Sequence, residues 1–230
     1  MITNATNAWV IHKSWSGDTS ARVVFFTEEH GLLSCFYKGG RTPKKQALIQ
    51  PFSPLWLAMD VRGEAHFIRQ IEIMAPPIDL PGQTLFSALY LNELLYLALK
   101  PHDPHAALHA AYTFALQSLT MAPDRLSIEA ILRRFEWTLL SSCGYQMSFS
   151  HDARSTEPID ACLCYRFIAG EGFVLANEGI DGSLIIALSQ DKLEDIAVLN
   201  AAKRIMRSAI HHALGGKEIK ARALYHVRKV

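Results

Sequence analysis

The sequence predicts an α+β protein. Residues 1–78 read as a five-stranded barrel of the OB type, and residues 79–230 as a mainly α-helical domain with a small loop-rich insert at about 146–185. Two observations carry this. Before residue 76 the chain holds short β-prone segments parted by turn chemistry at roughly 8–12 residue intervals, the mark of a small barrel or sandwich. From residue 83 the apolar period lengthens to that of a helix. Pro76-Pro77 and Pro81-Gly82 punctuate the chain between the two regimes, and the domain boundary is placed there.

The strands are expected at 8–12 (AWVIH), 20–26 (SARVVFF), 31–37 (GLLSCFY), 53–59 (SPLWLAM) and 66–74 (HFIRQIEIM). Branched and aromatic side chains dominate them because such residues fit a pleated, half-buried surface. The separators are SWSGDT, TEEHG, KGGRTPKK and DVRGE. The third is the most informative. Lys38, Arg41, Lys44 and Lys45 surround the breakers Gly39, Gly40 and Pro43 on an exposed connection between two sheet elements. Glycines without a Cβ let a backbone approach phosphate, and four cations attract it. The alternative is a solvated hairpin tip. Trp15 lies in a polar turn and is the best exposed aromatic for stacking a base, with Phe36 and Tyr37 behind it as residues better suited to the barrel core.

The first helix is expected at 84–100, ended by Lys100-Pro101, and the second at 105–121, led in by Asp103-Pro104. A third runs over 127–144, with Asp124 or Ser127 as cap and Gly144 as stop. CYRFI and GFVLAN then form a short hairpin inside the insert. The last helix is expected from about Asp191 to Leu214, stopped by Gly215-Gly216.

On the third helix Ile128, Ile131, Leu132, Phe135, Leu139 and Cys143 share one stripe and should face the core. Trp137 lies about 200° from Phe135 and points elsewhere. Arg133 stands one turn before it, with Arg134 close on the same side. An aromatic beside two cations off the core face makes a pocket edge for an acidic, hydrophobic peptide terminus. The competing reading packs Trp137 under the insert with the arginines covering it.

The 230 residues carry a net charge of +1 that conceals an uneven distribution. Residues 1–78 hold eight Lys and Arg against six Asp and Glu; residues 79–200 hold seven against fifteen; residues 201–230 hold eight against one. That last stretch includes Lys203, Arg204 and Arg207 on the final helix and Lys217, Lys220 and Arg222 beyond it. This is more than solubility needs and points to a polyanion. No apolar run reaches the ~20 residues of a membrane helix. The start, MITNATNAWVIHK, lacks a basic region followed by an apolar stretch, so a cytoplasmic protein is expected.

No P-loop, Rossmann glycine fingerprint, H-E-x-x-H or G-x-S-x-G occurs, and no catalytic site is expected. Glu28-Glu29 sit on a turn without an evident partner. His102, His105 and His109 are read as exposed histidines, a metal-dependent hydrolase being the alternative. Cys35 and Cys143 are expected as buried thiols. Cys162 and Cys164, with His151 as a conceivable third ligand, are spaced more tightly than a structural zinc pair, and no cofactor is expected. A protein adaptor built on the helical domain is the other alternative.

Over nearly its whole length the chain resembles the RecO family of recombination mediators. The resemblance rests on AWVIHKSWSGDTS with FFTEEHGLL, then YKGGR and LIQPFSPLWL, then LYLNELL, LRRFEWTLLSSCGY, AAKR and LGGKEIKAR, in that order and spacing. It implies an OB-fold, a helical domain and a zinc-finger-like insert. Some members carry four zinc cysteines there; FSHDARSTEPIDACLCYRF lacks two C-x-x-C pairs, so the insert is expected to fold without metal. The resemblance further implies binding of single- and double-stranded DNA, strand annealing, contact with RecR, and recognition of the acidic C-terminal tail of single-stranded DNA-binding protein to help load RecA. It implies a cytoplasmic, nucleoid-associated protein.

Overall fold

The computed structural model describes residues 2–225, with side chains from residue 5. Five strands close a barrel: β1 (Ile2–Ser16), β2 (Ser20–Thr27), β3 (Gly31–Tyr37), β4 (Leu55–Arg62) and β5 (Ala65–Ile73), in the order β1-β2-β3-β5-β4 and back to β1. The β1 strand is much longer than the expected 8–12. Its first half pairs with β4 and its second with β2, and a bulge between Val10 and His12 bends it from one partner to the other. The early residues ITNATN lack an apolar alternation, so only the pairing reveals them as strand. Parallel pairing of β3 with β5 through Cys35–His66 and Phe36–Phe67 completes the closure. Val10, Val23, Phe25, Leu33, Cys35, Leu57, Met59 and Ile71 fill the interior.

One end of the barrel's outer face lies under helices α2 (Gln83–Ala98) and α3 (Ala106–Met121). Trp9 meets Tyr112 edge-on at 5.8 Å and donates its indole N–H to Thr113 Oγ1 at 3.2 Å. Phe26 packs against Tyr112 and His109. Buried Asn92 of α2 donates to the carbonyls of Val10 and Ile11 and accepts the Tyr112 hydroxyl, so a buried amide finds partners on both sides. The chain returns to α2 at a 3₁₀ turn, Lys220–Tyr225, whose Lys220 and Ala221 N–H groups donate to the Glu93 carboxylate.

By contact the chain forms two compact units, Met1–Thr120 with Ile219–Val230, and Met121–Glu218. This grouping differs from the expected domains 1–78 and 79–230, because α2 and α3 bury their aromatic and amide groups against β1 and β2.

The second unit holds α4 (Arg125–Ser142), a sheet of β6 (Cys164–Ile168), β7 (Gly172–Ala176) and β8 (Ile180–Asp181) in the order β7-β6-β8, and helices α5 (Gly182–Ser189) and α6 (Ile196–Ala213). The last helix thus starts at Ile196, five residues after the expected Asp191, and a separate helix, α5, precedes it. Asp191 takes a left-handed φ of 55° in the break, and Asp195 caps α6 by accepting from the N–H groups of Ala197 and Val198. Asp124 caps α4 through Ser127 N–H. Cys143 ends α4 and is half-buried, short of the burial expected, because the helix terminates as its stripe leaves the core.

The insert has an apolar centre of its own: Ile159, Tyr165, Phe173 and Ile180 pack with Ile185 of α5 and Ala201 and Ile205 of α6. Asp152 orders its first turn. It accepts from the backbone N–H groups of Ser155, Arg154 and Leu175, which hold its carboxyl down to about 2. No helix among the described residues is long and apolar enough to cross a membrane.

Candidate functional site

The basic connection between β3 and β4 is not a flexible loop. Residues 43–48 form a short helix, α1 (Pro43–Leu48), with Pro43 in its first turn, where a missing N–H costs nothing. Lys44 and Lys45 therefore lie on helix. The turn before it is tight: Gly40 N–H donates to Tyr37 O, Arg41 N–H to Thr19 O and Thr42 N–H to Gly39 O. A Cβ at Gly40 would stand 2.8 Å from Ala21 Cβ and 2.9 Å from Tyr37 O. That glycine serves close packing on β2, and its bareness is not left open for a ligand.

Lys38, Arg41 and Lys44 are exposed and Lys45 is half-buried. Arg41 rests 5.3 Å over the Trp15 ring. Lys45 lies 4.8 Å over Tyr37 and donates to Lys38 O at 2.6 Å, a rivet between helix and strand end. Among the described residues no carboxylate lies in ion-pair range of these four cations. Trp15 is 50% exposed, whereas Tyr37 belongs to the barrel core and Phe36 is half-buried on the outer face.

The C-terminal cations do not form one patch within either unit. Lys203, Arg204 and Arg207 are exposed on α6, and Lys217 follows in the same unit. Lys203 is held by Glu129 at 3.0 Å. Lys220 and Arg222 belong to the barrel's unit, where Arg222 lies 5.7 Å over the Tyr90 ring.

The third candidate set gathers in a groove of about 880 Å³, with Arg133, Arg134, Trp137, Thr138, Phe149 and Asp191 among its lining residues. Trp137 stacks on Phe149 at 4.2 Å, and Phe149 continues to Phe173 in the insert core. Arg134 Nε donates to both Asp191 oxygens, at 3.0 and 2.8 Å. Arg133 departs from expectation. It is buried, not off the core face, and donates through Nη2 to Glu136 Oε1 at 2.6 Å, with Glu136 itself only 1% exposed. Its Nε is buried with no hydrogen-bond partner among the described residues. Two charges taken from water need one another, which is why a guanidinium i to i+3 from a glutamate turns inward. The sequence showed Arg133 and Glu136 at this spacing; it offered no sign of Asp191, which comes from 57 residues away.

The histidines serve separate roles. His102 lies before α3 and faces His66 at 5.0 Å; His105 is 3.4 Å from Asp103; His109 packs on Phe26, and burial lowers its pKa. Glu28 and Glu29 lie in the β2–β3 turn. In the insert His151 Nδ1 meets Ser150 Oγ, Cys162 N–H donates to Asp160, and the Cys164 thiol donates to Asp181, which raises its pKa. Among the described residues no three His, Cys, Asp or Glu side chains converge to hold a metal ion. Burial pushes the Cys35 thiol up to about 12.

The family described as recombination protein O N terminal matches residues 1–77, and its C-terminal counterpart matches residues 82–223. A DNA repair protein RecO of Legionella pneumophila (strain Philadelphia 1) is 52% identical over 226 residues, covering 98% of this chain and 99% of that protein. Proteins of the same name from Shigella flexneri and Escherichia coli O139:H28 are 38% identical over 225 residues, covering 95% of this chain and 92% of theirs.

Proposed function

This chain belongs to the recombination protein O family, and from that premise we propose that it is a DNA repair and recombination mediator without catalytic chemistry. It binds single- and double-stranded DNA, anneals complementary strands, and with RecR helps load RecA onto strands coated by single-stranded DNA-binding protein. The observation that carries the reading is the barrel's cationic edge. Arg41 and Lys45 rest on aromatic rings, Lys38 and Lys44 are exposed beside them, and among the described residues no carboxylate pairs with any of the four. Such charge is available to phosphates, whose counterions are released on binding. Arg204 and Arg207, exposed on α6, give the second unit a cationic surface of its own for the same ligand.

The Trp137 groove would take the acidic tail of the coating protein, its terminal carboxylate gripped by Arg134 and its ring set against Trp137 and Phe149. The decisive experiment anneals complementary oligonucleotides, bare and coated, with the parent and with Lys44→Ala/Lys45→Ala. Binding should weaken on all sequences alike, and the slope of log K against log salt on duplex should flatten by about 0.9 for each phosphate no longer neutralised. A parent that neither binds nor anneals sinks the mediator reading in favour of an adaptor. An unchanged slope removes this edge from the DNA site.

A further inference from the structure

The barrel closes through a short seam. One edge of β3 is taken by β2 along its whole length, from Gly31 to Tyr37. On the other edge β5 supplies only Cys35–His66 and Phe36–Phe67. The start of that edge is filled from outside the barrel, by the connection between α2 and α3. Pro101 bridges to Leu32, and His102 N–H donates to Leu32 O at 3.1 Å. Asp103 follows so closely on Gly31 that a Cβ there would overlap the Asp103 carbonyl. His102 holds a left-handed φ of 61°, a conformation that strains a residue with a Cβ. Histidines gather on this joint. His66, from the seam itself, faces the His102 ring with centroids 5.0 Å apart and planes 33° from parallel. His30, just before Gly31, is near enough for its charge to act on His66. The carboxylates nearby are turned to other partners: Glu29 lies 3.8 Å from His30, and Asp103 lies 3.4 Å from His105. Among the described residues neither His66 nor His102 has a carboxylate in ion-pair range. On β4, Val61 stands opposite His66 and Arg62 turns to Phe67; on β3, the Cys35 thiol stays uncharged.

We propose that His66 and His102 make this joint a proton-operated latch: when both rings take up a proton, the α2–α3 connection lifts from Leu32 and the barrel loosens along its β3–β5 seam. Two imidazolium rings face to face repel, and no anion lies between them to offset it. The joint has little else to resist with. Its hydrogen bond to Leu32 O is carried by the strained residue itself, and the seam behind it is two pairs long. Burial holds the His66 pKa below its ordinary 6.5 and His102 lowers it further; a hydrogen bond to the Glu64 carbonyl opposes them, and His30 adds to the lowering. The closed joint therefore binds its proton less readily than the open one. Its stability is fully present above about pH 6.5 and is lost as pH falls below that value. The latch concerns the barrel's own closure and does not depend on the DNA-binding reading.

The test follows amide hydrogen exchange of the full chain, corrected for the intrinsic effect of pH. Protection of the His102 N–H should fall about three- to tenfold between about pH 7 and 5.5, while the amides of α6 keep theirs. His66→Gln, which can still donate to the Glu64 carbonyl, should flatten that fall. So should His102→Asn, neutral and at home in a left-handed conformation. The His66 ring, titrated by nuclear magnetic resonance, should move up toward 6.5 in His102→Asn. Should His66→Gln fail to fold, His102→Asn at its exposed position and the ring titration carry the test. Three results would overturn the latch: protection at His102 that ignores pH, a fall shared equally by α6, or the parent's fall retained in His102→Asn. An unmoved His66 titration in that variant would do the same.

Discussion

The two compact units use their cations in opposite ways. In the barrel's unit Arg22, Arg41, Lys45, Arg62 and Arg222 sit over aromatic rings. In the other, Arg125, Arg133, Arg134, Arg154 and Lys203 are matched to carboxylates. A ring positions a cation without cancelling its charge, whereas a carboxylate does both. The first arrangement suits a polyanion that arrives from outside. The second fixes structure, and any acidic ligand there must compete with a carboxylate already in place. Counting basic residues therefore says little about where an anion binds. What matters is what each cation already faces.

The largest effect on this contrast is expected from Arg133→Ala. Removing one member of a buried pair leaves Glu136 without its guanidinium, and unfolding by denaturant should show a loss of about 3–5 kcal/mol. Arg133→Met with Glu136→Leu should recover most of it, since two apolar side chains need no partner. If Arg133→Ala costs under ~1 kcal/mol, the pair is solvated and the residue returns to the ligand-binding set.

Next in size is the exposed Arg134–Asp191 pair, which contributes little to stability. Its effect should appear in binding of an acidic peptide with a C-terminal aromatic residue. Arg134→Ala should weaken that titration roughly tenfold or more, the scale of a charge-assisted hydrogen bond. Asp191→Asn should tighten it about two- to fivefold, because the ligand carboxylate no longer displaces an internal one. Tightening by Asp191→Asn at unaltered stability would establish competition; weakening by both variants would make Asp191 a support for the groove.

The smallest effect concerns a charge satisfied by backbone alone. Asp152 is held at about 2, below its ordinary 3.8, by the N–H groups of Ser155 and Arg154 and then Leu175. A depressed carboxylate contributes stability that is fully present above about 3.8 and is lost as pH falls through about 2. Acid unfolding of the parent should therefore contain a component between about pH 4 and 2 that Asp152→Asn lacks. Identical acid titrations of the two proteins, followed by near-ultraviolet circular dichroism, would discard the assignment.

Much of the fold was readable because short-range chemistry and periodicity agree. GLLSCFY is a short β-prone run between turn signals and is a strand, and Asp124 caps α4 where an aspartate before an apolar stripe should. Three readings needed correction, each for a non-local reason. The start of β1 lacks a pattern and becomes strand only through β4. Pro43–Leu48 is too short to show a helical period. The last helix starts at Ile196 and not at Asp191, because Asp191 is left-handed and Asp195 supplies the cap.

Composition, order and spacing along the chain were enough for the α+β class, the barrel's five strands, the cationic segments and the family resemblance. Which charges are free was settled only in three dimensions. Arg133 and Arg134 are adjacent and chemically identical, yet one is buried on Glu136 and the other faces a groove against Asp191. Phe36 and Phe67 are thirty-one positions apart and meet only because a two-residue parallel pairing closes the barrel. A side chain's type is set by the chain, but the free energy of its charge or ring depends on what surrounds it in space, and those neighbours come from distant segments.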